Sequence, residues 1–385
     1  MPFHFLKRTF LSPLLEFIQD SRAVGVILLI CTVFSLLISN TFLGDYYLNF
    51  WNAEVHLGAY MPHNILHWIN DGLMAIFFFQ VGMEIKREMV SGELASIKQS
   101  ILPVVGALGG MLVPALIFTI FNNGTEFANG WGVPMATDIA FSLGIASLLS
   151  GRVPLALKIF LTALAIIDDL GAIVAIAIFY TSTIKFVYLF SGLGIFALLL
   201  LLTRFKIKFG FWNFLLGAVL WFCFFNSGVH ATIAGVLFAF TIPIKFLDRI
   251  EHALHNYVNF LIIPIFALAN TAIVIPLGFT EHMTNSLSLG IIAGLLLGKP
   301  LGIVLFCWLL VKLKIGQLAE GINWKHMIGL GLLAGIGFTM SIFISMLAFK
   351  DSFTQDISKM AVMVASVLAI ICGYAWFKFF IKEKQ

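Results

Sequence analysis

Of 385 residues, 60% are hydrophobic and 11% charged, and the mean hydropathy is +1.01. Soluble domains carry roughly 25% charged residues and a bilayer-spanning helix takes ~20 apolar ones, so a soluble enzyme is excluded and about a dozen spans leave no room for a separate soluble catalytic domain. The net charge of +4 comes from basic residues that punctuate apolar runs, a pattern of membrane topology rather than of nucleic-acid binding.

In chain order, residues 1–22 carry Lys7, Arg8 and Arg22, but Pro13, Glu16 and Asp20 interrupt them and no small-residue cleavage site follows, so they are not a signal peptide. Phe10, Leu14 and Phe17 share a helical face, which predicts an amphipathic helix at the cytoplasmic membrane surface. Apolar runs then predict twelve spans, over 23–42, 65–85, 101–121, 127–150, 155–180, 184–203, 210–225, 228–243, 256–275, 286–311, 326–349 and 357–381. The first outer connection, 43–64, is rich in strand-favouring residues around Asn52, and reads as a small β-hairpin or an irregular loop. Cys31, Cys223, Cys307 and Cys372 each stand alone in apolar runs and form no metal or disulfide pattern.

The connections test this count, because Lys and Arg accumulate on the cytoplasmic side. With both termini cytoplasmic, 19 of the 23 basic residues fall inside, Lys185, Lys350 and Lys359 fall outside, and Lys299 lies within the tenth span. One helix more or fewer would scramble that alternation. The chain therefore reads as a single transmembrane domain over 1–385, all-α and polytopic.

Four charges lie deep in apolar sequence: Asp138 in the fourth span, Asp168 and Asp169 in the fifth, and Lys299 in the tenth. Each costs ~2.5 to 3.5 kcal/mol near a helix centre, and four together cost on the order of 10 to 14 kcal/mol, as much as a typical fold's whole stability. A purely structural ion-pair knot would not need three acids for one base. A site for a cation or protons would. Successive helical residues point about 100° apart, so Asp168 and Asp169 have different surroundings. One can face an aqueous cavity while the other packs against a neighbour, with Lys299 as the available intramembrane base.

Pro134 interrupts the fourth span, and Gly331, Gly335 and Gly337 loosen the eleventh. These are the middle helices of two three-helix units, spans 3–5 and 10–12, separated by four spans and therefore inserted from opposite sides. Inverted repeats with broken helices are an architecture described for secondary transporters, where ions bind near the midplane. Crossing half-helices leave partial positive charge at their N-termini and negative charge at their C-termini. Asp138 has the sign to answer the first and Lys299 the second.

The segments Met135-Ala136-Thr137-Asp138-Ile139-Ala140-Phe141-Ser142-Leu143-Gly144 and Ile167-Asp168-Asp169-Leu170-Gly171-Ala172-Ile173 resemble the NhaA family of bacterial sodium/proton antiporters. So do Val81–Glu88, Ser227–Thr232, Gly298–Gly302 and Gly335–Ser341, collinear over nearly the whole chain. The resemblance implies electrogenic exchange in the bacterial inner membrane, serving sodium and pH homeostasis. Two protons would enter for each Na+ or Li+ expelled, with no cofactor beyond the transported ions and no ATP. It makes Asp169 the principal ion- and proton-binding carboxylate and Asp168 its partner, paired with Lys299 in one state. Thr137 and Asp138 would belong to the helix crossing and support the ion site. Glu84, Arg87, Glu88, Glu251, His252 and His255 would form a pH-sensing surface at the cytoplasmic mouth. The residues alone allow an ordinary solvated cluster there, although histidine titrates in the useful range. Asp248 replaces a lysine of the family pattern, a departure that bears on the activation pH. The resemblance also implies a homodimer through residues 47 to 57, and exposed strand edges there would favour pairing.

Other functions fare worse. Gly294–Pro300 imitates a phosphate-binding loop, but the glycine spacing is short and proline stands where Ser/Thr is needed. Lys299 opposes a passive cation channel. A sodium-coupled symporter for an organic anion is the stronger alternative, since it shares the broken-helix architecture.

Overall fold

The computed structural model describes residues 21–149 and 151–382, so the amphipathic helix expected around Phe10, Leu14 and Phe17 lies outside the described residues. Among these the fold is all-helical, with no strand. In chain order the helices are α1 (Ser21–Ser39), α2 (Gly44–Trp51), α3 (Ile65–Ser91), α4 (Ile97–Asn122), α5 (Ile139–Leu148), α6 (Leu155–Phe179), α7 (Phe186–Arg204), α8 (Phe211–Ser227) and α9 (Thr232–Thr241). There follow α10 (Ile244–Asn270), α11 (Ser286–Lys312), α12 (Trp324–Ala334), α13 (Phe338–Ala348) and α14 (Ser352–Phe380). Eight helical stretches, α3, α4, α6, α7, α10, α11, α14 and Ala128–Leu148, which ends in α5, are long and apolar enough to cross a membrane, or up to ten if each sharply bent pair counts as one span, and α8 and α9 are shorter apolar helices.

Two expectations are corrected. The 43–64 connection is not a hairpin: Tyr47 to Trp51 are helical, and only an isolated antiparallel bridge between Glu54 and Asn64 remains. The aromatic residues that read as strand-formers instead pack at helical spacing. Trp51 is buried edge-on against Tyr47, at 5.7 Å between ring centroids, while the Tyr47 hydroxyl donates to Leu268 O and lies 3.1 Å from Ser35 Oγ. The ninth run, expected over 256–275, is displaced: α10 begins at Ile244 and ends at Asn270. Lys245, Asp248, Arg249, Glu251 and His252 depress hydropathy over its first half, which is amphipathic rather than apolar.

Prolines shape the long helices. In α11, Pro300 has no N–H to give to the preceding turn, and a π turn over Gly294–Gly298 opens immediately before Lys299. A similar π turn over Val258–Ile262 precedes Pro264 in α10. Helix α11 lies so tightly on α4 that a Cβ on Gly302 would stand 2.0 Å from Gly109 O, and one on Gly109 2.3 Å from Gly302 O. Such close backbone approach is the usual means of helix association in lipid. It carries Lys299, one turn earlier in α11, into the centre, where it is fully buried. Helix α7, with Phe186, Val187 and Phe190 exposed, presents its apolar surface outward, as a helix in hydrocarbon can.

Candidate functional site

The two interrupted elements meet at their breaks. The first is a 3-10 helix, Ala128–Met135, that gives way to extended backbone at Ala136 and Asp138 before α5 begins. The second is the bend of 49° between α12 and α13 around Gly335 to Gly337. Asp138 N–H donates to Ile336 O at 2.7 Å, the Thr137 hydroxyl lies 2.9 Å from Ala334 O, and the Ser142 hydroxyl donates to Leu333 O at 2.8 Å. These contacts bring donors to main-chain carbonyls in the last turn of α12 and in the break beyond it, where regular helical bonding ends.

Asp138 answers both positive helix ends at once. Its Oδ1 accepts from Phe141 N–H at 3.0 Å in the first turn of α5, and its Oδ2 accepts from Thr339 N–H at 3.0 Å in the first turn of α13 and from the Thr339 hydroxyl. One carboxylate thus caps two half-helices, the charge arrangement that the macrodipole favours. Lys299 occupies the complementary place, donating to Met135 O, at the C-terminal end of the 3-10 helix, at 2.6 Å.

Lys299 also pairs with Asp168, and both side chains have no exposure to solvent. The same Oδ2 of Asp168 lies 2.7 Å from the Thr137 hydroxyl, while Oδ1 has no hydrogen-bond partner. Asp169, one residue on, is 2% exposed and its Oδ1 is likewise unpartnered. It lines a cavity of about 410 Å³ together with Asp138, Thr339, Glu84, Arg87 and Glu251. The adjacent acids are therefore separated as helical geometry requires, Asp168 turned to Lys299 and Asp169 to the cavity.

The exposed His252 and His255 mark the mouth of that cavity. Just inside, Arg87 pairs with Glu251 and, at 3.2 Å, with Glu88. Glu251 Oε2 is left without a partner. Glu88 itself lines a neighbouring cavity of about 420 Å³ with Lys158 and Ser147, and the two cavities share Leu143 and Thr162. Of the residues singled out in the sequence, Asp169, Asp138, Glu84, Arg87, Glu251, His252 and His255 face one space, whereas Asp168, Lys299 and Thr137 form the buried wall behind it. Asp248 is exposed and does not line the cavity.

Several contributors were missed. Thr339, the second donor to Asp138, stands two residues beyond the glycine break, and a hydroxyl in the first turn after such a break is a readable signal. Lys86, counted only as an inner basic residue, donates to Phe240 O at 2.7 Å and Ile242 O at 2.6 Å, closing the C-terminal end of α9. Gln80, a lone amide after Phe77-Phe78-Phe79, lines the same cavity as Asp169.

The model of the family described as Na+/H+ antiporter 1 matches residues 15–377. The chain belongs to the NhaA family of Na+/H+ antiporters. Among its relatives, the Na(+)/H(+) antiporter NhaA 2 of Flavobacterium johnsoniae is 49% identical over 380 residues, covering 96% of this chain and 93% of that protein. The Na(+)/H(+) antiporter NhaA of Cytophaga hutchinsonii is 49% identical over 375 residues, with 96% and 95% covered. That of Dechloromonas aromatica is 48% identical over 375 residues, with 95% of each covered. The NhaA family is one of transporters, not enzymes, and its members are membrane antiporters, in keeping with the apolar helices here.

Proposed function

We propose that this chain is a secondary antiporter that exchanges cytoplasmic Na+ or Li+ for external H+, electrogenically, with two protons per cation and a rate set by pH. The observation that carries the reading is Asp169: a buried carboxylate on the wall of a cavity, with an oxygen that no neighbour satisfies. Such a group binds either a proton or a hard cation, and each displaces the other. Asp168 supplies the second proton site when its pair with Lys299 opens, since two close carboxylates in a poorly solvated place titrate as a coupled unit. Asp138 and Thr137 hold the crossing on which the site is built.

In this reading the chain crosses the bacterial inner membrane twelve times with both termini cytoplasmic, α5 and the α12–α13 pair being the broken members of inverted three-helix repeats. Arg87, Glu84, Glu88, Glu251, His252 and His255 set the pH response at the cytoplasmic mouth. The protein acts as a homodimer through residues 47 to 57, where α2 rather than a strand edge makes the contact. A chain lacking that segment is expected to run as an active monomer, and a persistent dimer would place the interface elsewhere.

The test is a pH-gradient assay in everted membrane vesicles, adding Na+, Li+ and K+ in turn without any organic substrate. Cation-driven proton release identifies the exchanger. Flux that needs an organic anion would identify a symporter instead.

A further inference from the structure

Along α3, Phe77, Gln80, Val81, Glu84 and Arg87 all line the cavity of Asp169, at the spacing of a single helical face. Arg87 and Glu84 belong to the charged mouth. Gln80 lies one turn deeper than Glu84 and is 8% exposed, in sequence that is otherwise apolar from Met74 to Met83.

Its amide is unlike the other buried ones. Asn122, Asn226 and Asn270 each hold a distant segment through the amide N–H, at Ser286 O, Tyr60 O and Asn70 Oδ1, although Asn122 Oδ1 and Asn270 Oδ1 are themselves unpartnered. The Gln80 side chain makes no hydrogen bond among the described residues, and its Oε1 is buried without a partner. Burying an amide costs free energy unless a partner repays it, and a leucine of similar size would pack there at no such cost. The amide plane turns about a broad terminal torsion, so the oxygen can swing to a ligand in the cavity.

We propose that Gln80 is a ligand of the transported cation, its Oε1 joining Asp169 around a dehydrated Na+ or Li+. This rests on the exchange reading above and extends it. Hard cations take neutral carbonyl oxygens alongside carboxylates. A neutral ligand has a consequence that a further acid would not: it binds the metal ion but no proton. Gln80 therefore shifts the competition at Asp169 towards the cation without raising the proton affinity of the site.

The experiment uses the purified full chain in two formats, a sodium titration of the melting temperature in detergent against choline chloride, and Na+-driven proton exchange in proteoliposomes. Gln80→Met keeps the length and volume of the side chain and removes the oxygen, and Gln80→Glu restores an oxygen. For Gln80→Met, the sodium needed for half of the thermal shift, and the half-saturating sodium for exchange, are expected to rise about tenfold, as for the loss of one contact with a charge. The melting temperature without sodium should hold, and Gln80→Glu should recover the sodium response. An unchanged half-saturation in Gln80→Met, or a wild-type melting temperature indifferent to sodium, would overturn the assignment. A Gln80-dependent sodium shift in a protein that exchanges no protons would support the ligand and overturn the exchange reading instead.

Discussion

A turn of about 100° between neighbouring helical residues gives Asp168 and Asp169 separate tasks. Asp168 is engaged by Lys299 and Thr137 in the packed interior, and Asp169 borders open space. Asp169→Asn is therefore expected to abolish Na+-dependent proton release while the protein still inserts and melts near the wild-type temperature, because an amide exchanges no protons at accessible pH. Robust release by this variant in everted vesicles would sink the assignment. Lys299→Ala has a different expected signature. It strands Asp168 without a counter-charge and Met135 O without a donor, and removing one partner of a buried pair costs about 3 to 5 kcal/mol. The melting temperature in detergent should fall clearly. If it does not move, the pair contributes no stability.

At the level of elements, the crossing is held by backbone geometry as much as by side chains. Helices α4 and α11 approach until Gly109 and Gly302 touch main chain to main chain, and that approach delivers Lys299 to the end of the 3-10 helix. Gly302→Val adds branched carbon where only hydrogen fits, so the helices must separate. Overpacking of this kind costs about 1 to 3 kcal/mol, and here it should also withdraw Lys299 from Asp168. The expected outcome is a lowered melting temperature together with loss of exchange. Wild-type transport by Gly302→Val would show that the α4–α11 distance does not control the site. The charged first half of α10 and the mouth-facing turn of α3 meet through Arg87 and Glu251, which joins the outer rim of the cavity to the helix that carries Glu84 and Gln80.

For the whole molecule, the consequence of two protons per cation is net charge movement. In the proposed exchange each cycle would carry one positive charge inward, opposite to the exported sodium. One elementary charge is worth about 2.3 kcal/mol per 100 mV, so an inside-negative potential alone should drive sodium export. In proteoliposomes at equal pH, a potassium/valinomycin potential is expected to accelerate sodium flux in one direction and slow it in the other. Flux indifferent to the potential would mean one proton per sodium and would leave Asp168 without a transport task.

Composition, hydropathy and the alternation of basic residues were enough to establish a helical membrane protein, because each apolar run reports its own environment. Asp138, Asp168, Asp169 and Lys299 were legible for the same reason: a charge in hydrocarbon is costly wherever it occurs in the chain. Pro134 and the glycines from 331 to 337 marked both breaks through local backbone chemistry. The tertiary structure decided what depends on contact between distant segments. It showed that Asp138 caps α5 and α13 together, which of two adjacent carboxylates meets Lys299, and that Gln80 shares a cavity with Asp169. It also overrode local preference at Tyr47 to Trp51, where packing against Ser35 and Leu268 made a helix of strand-favouring residues. It began α10 within a charged stretch that hydropathy could not see, since an amphipathic helix gains its stability from the face it buries rather than from its mean composition.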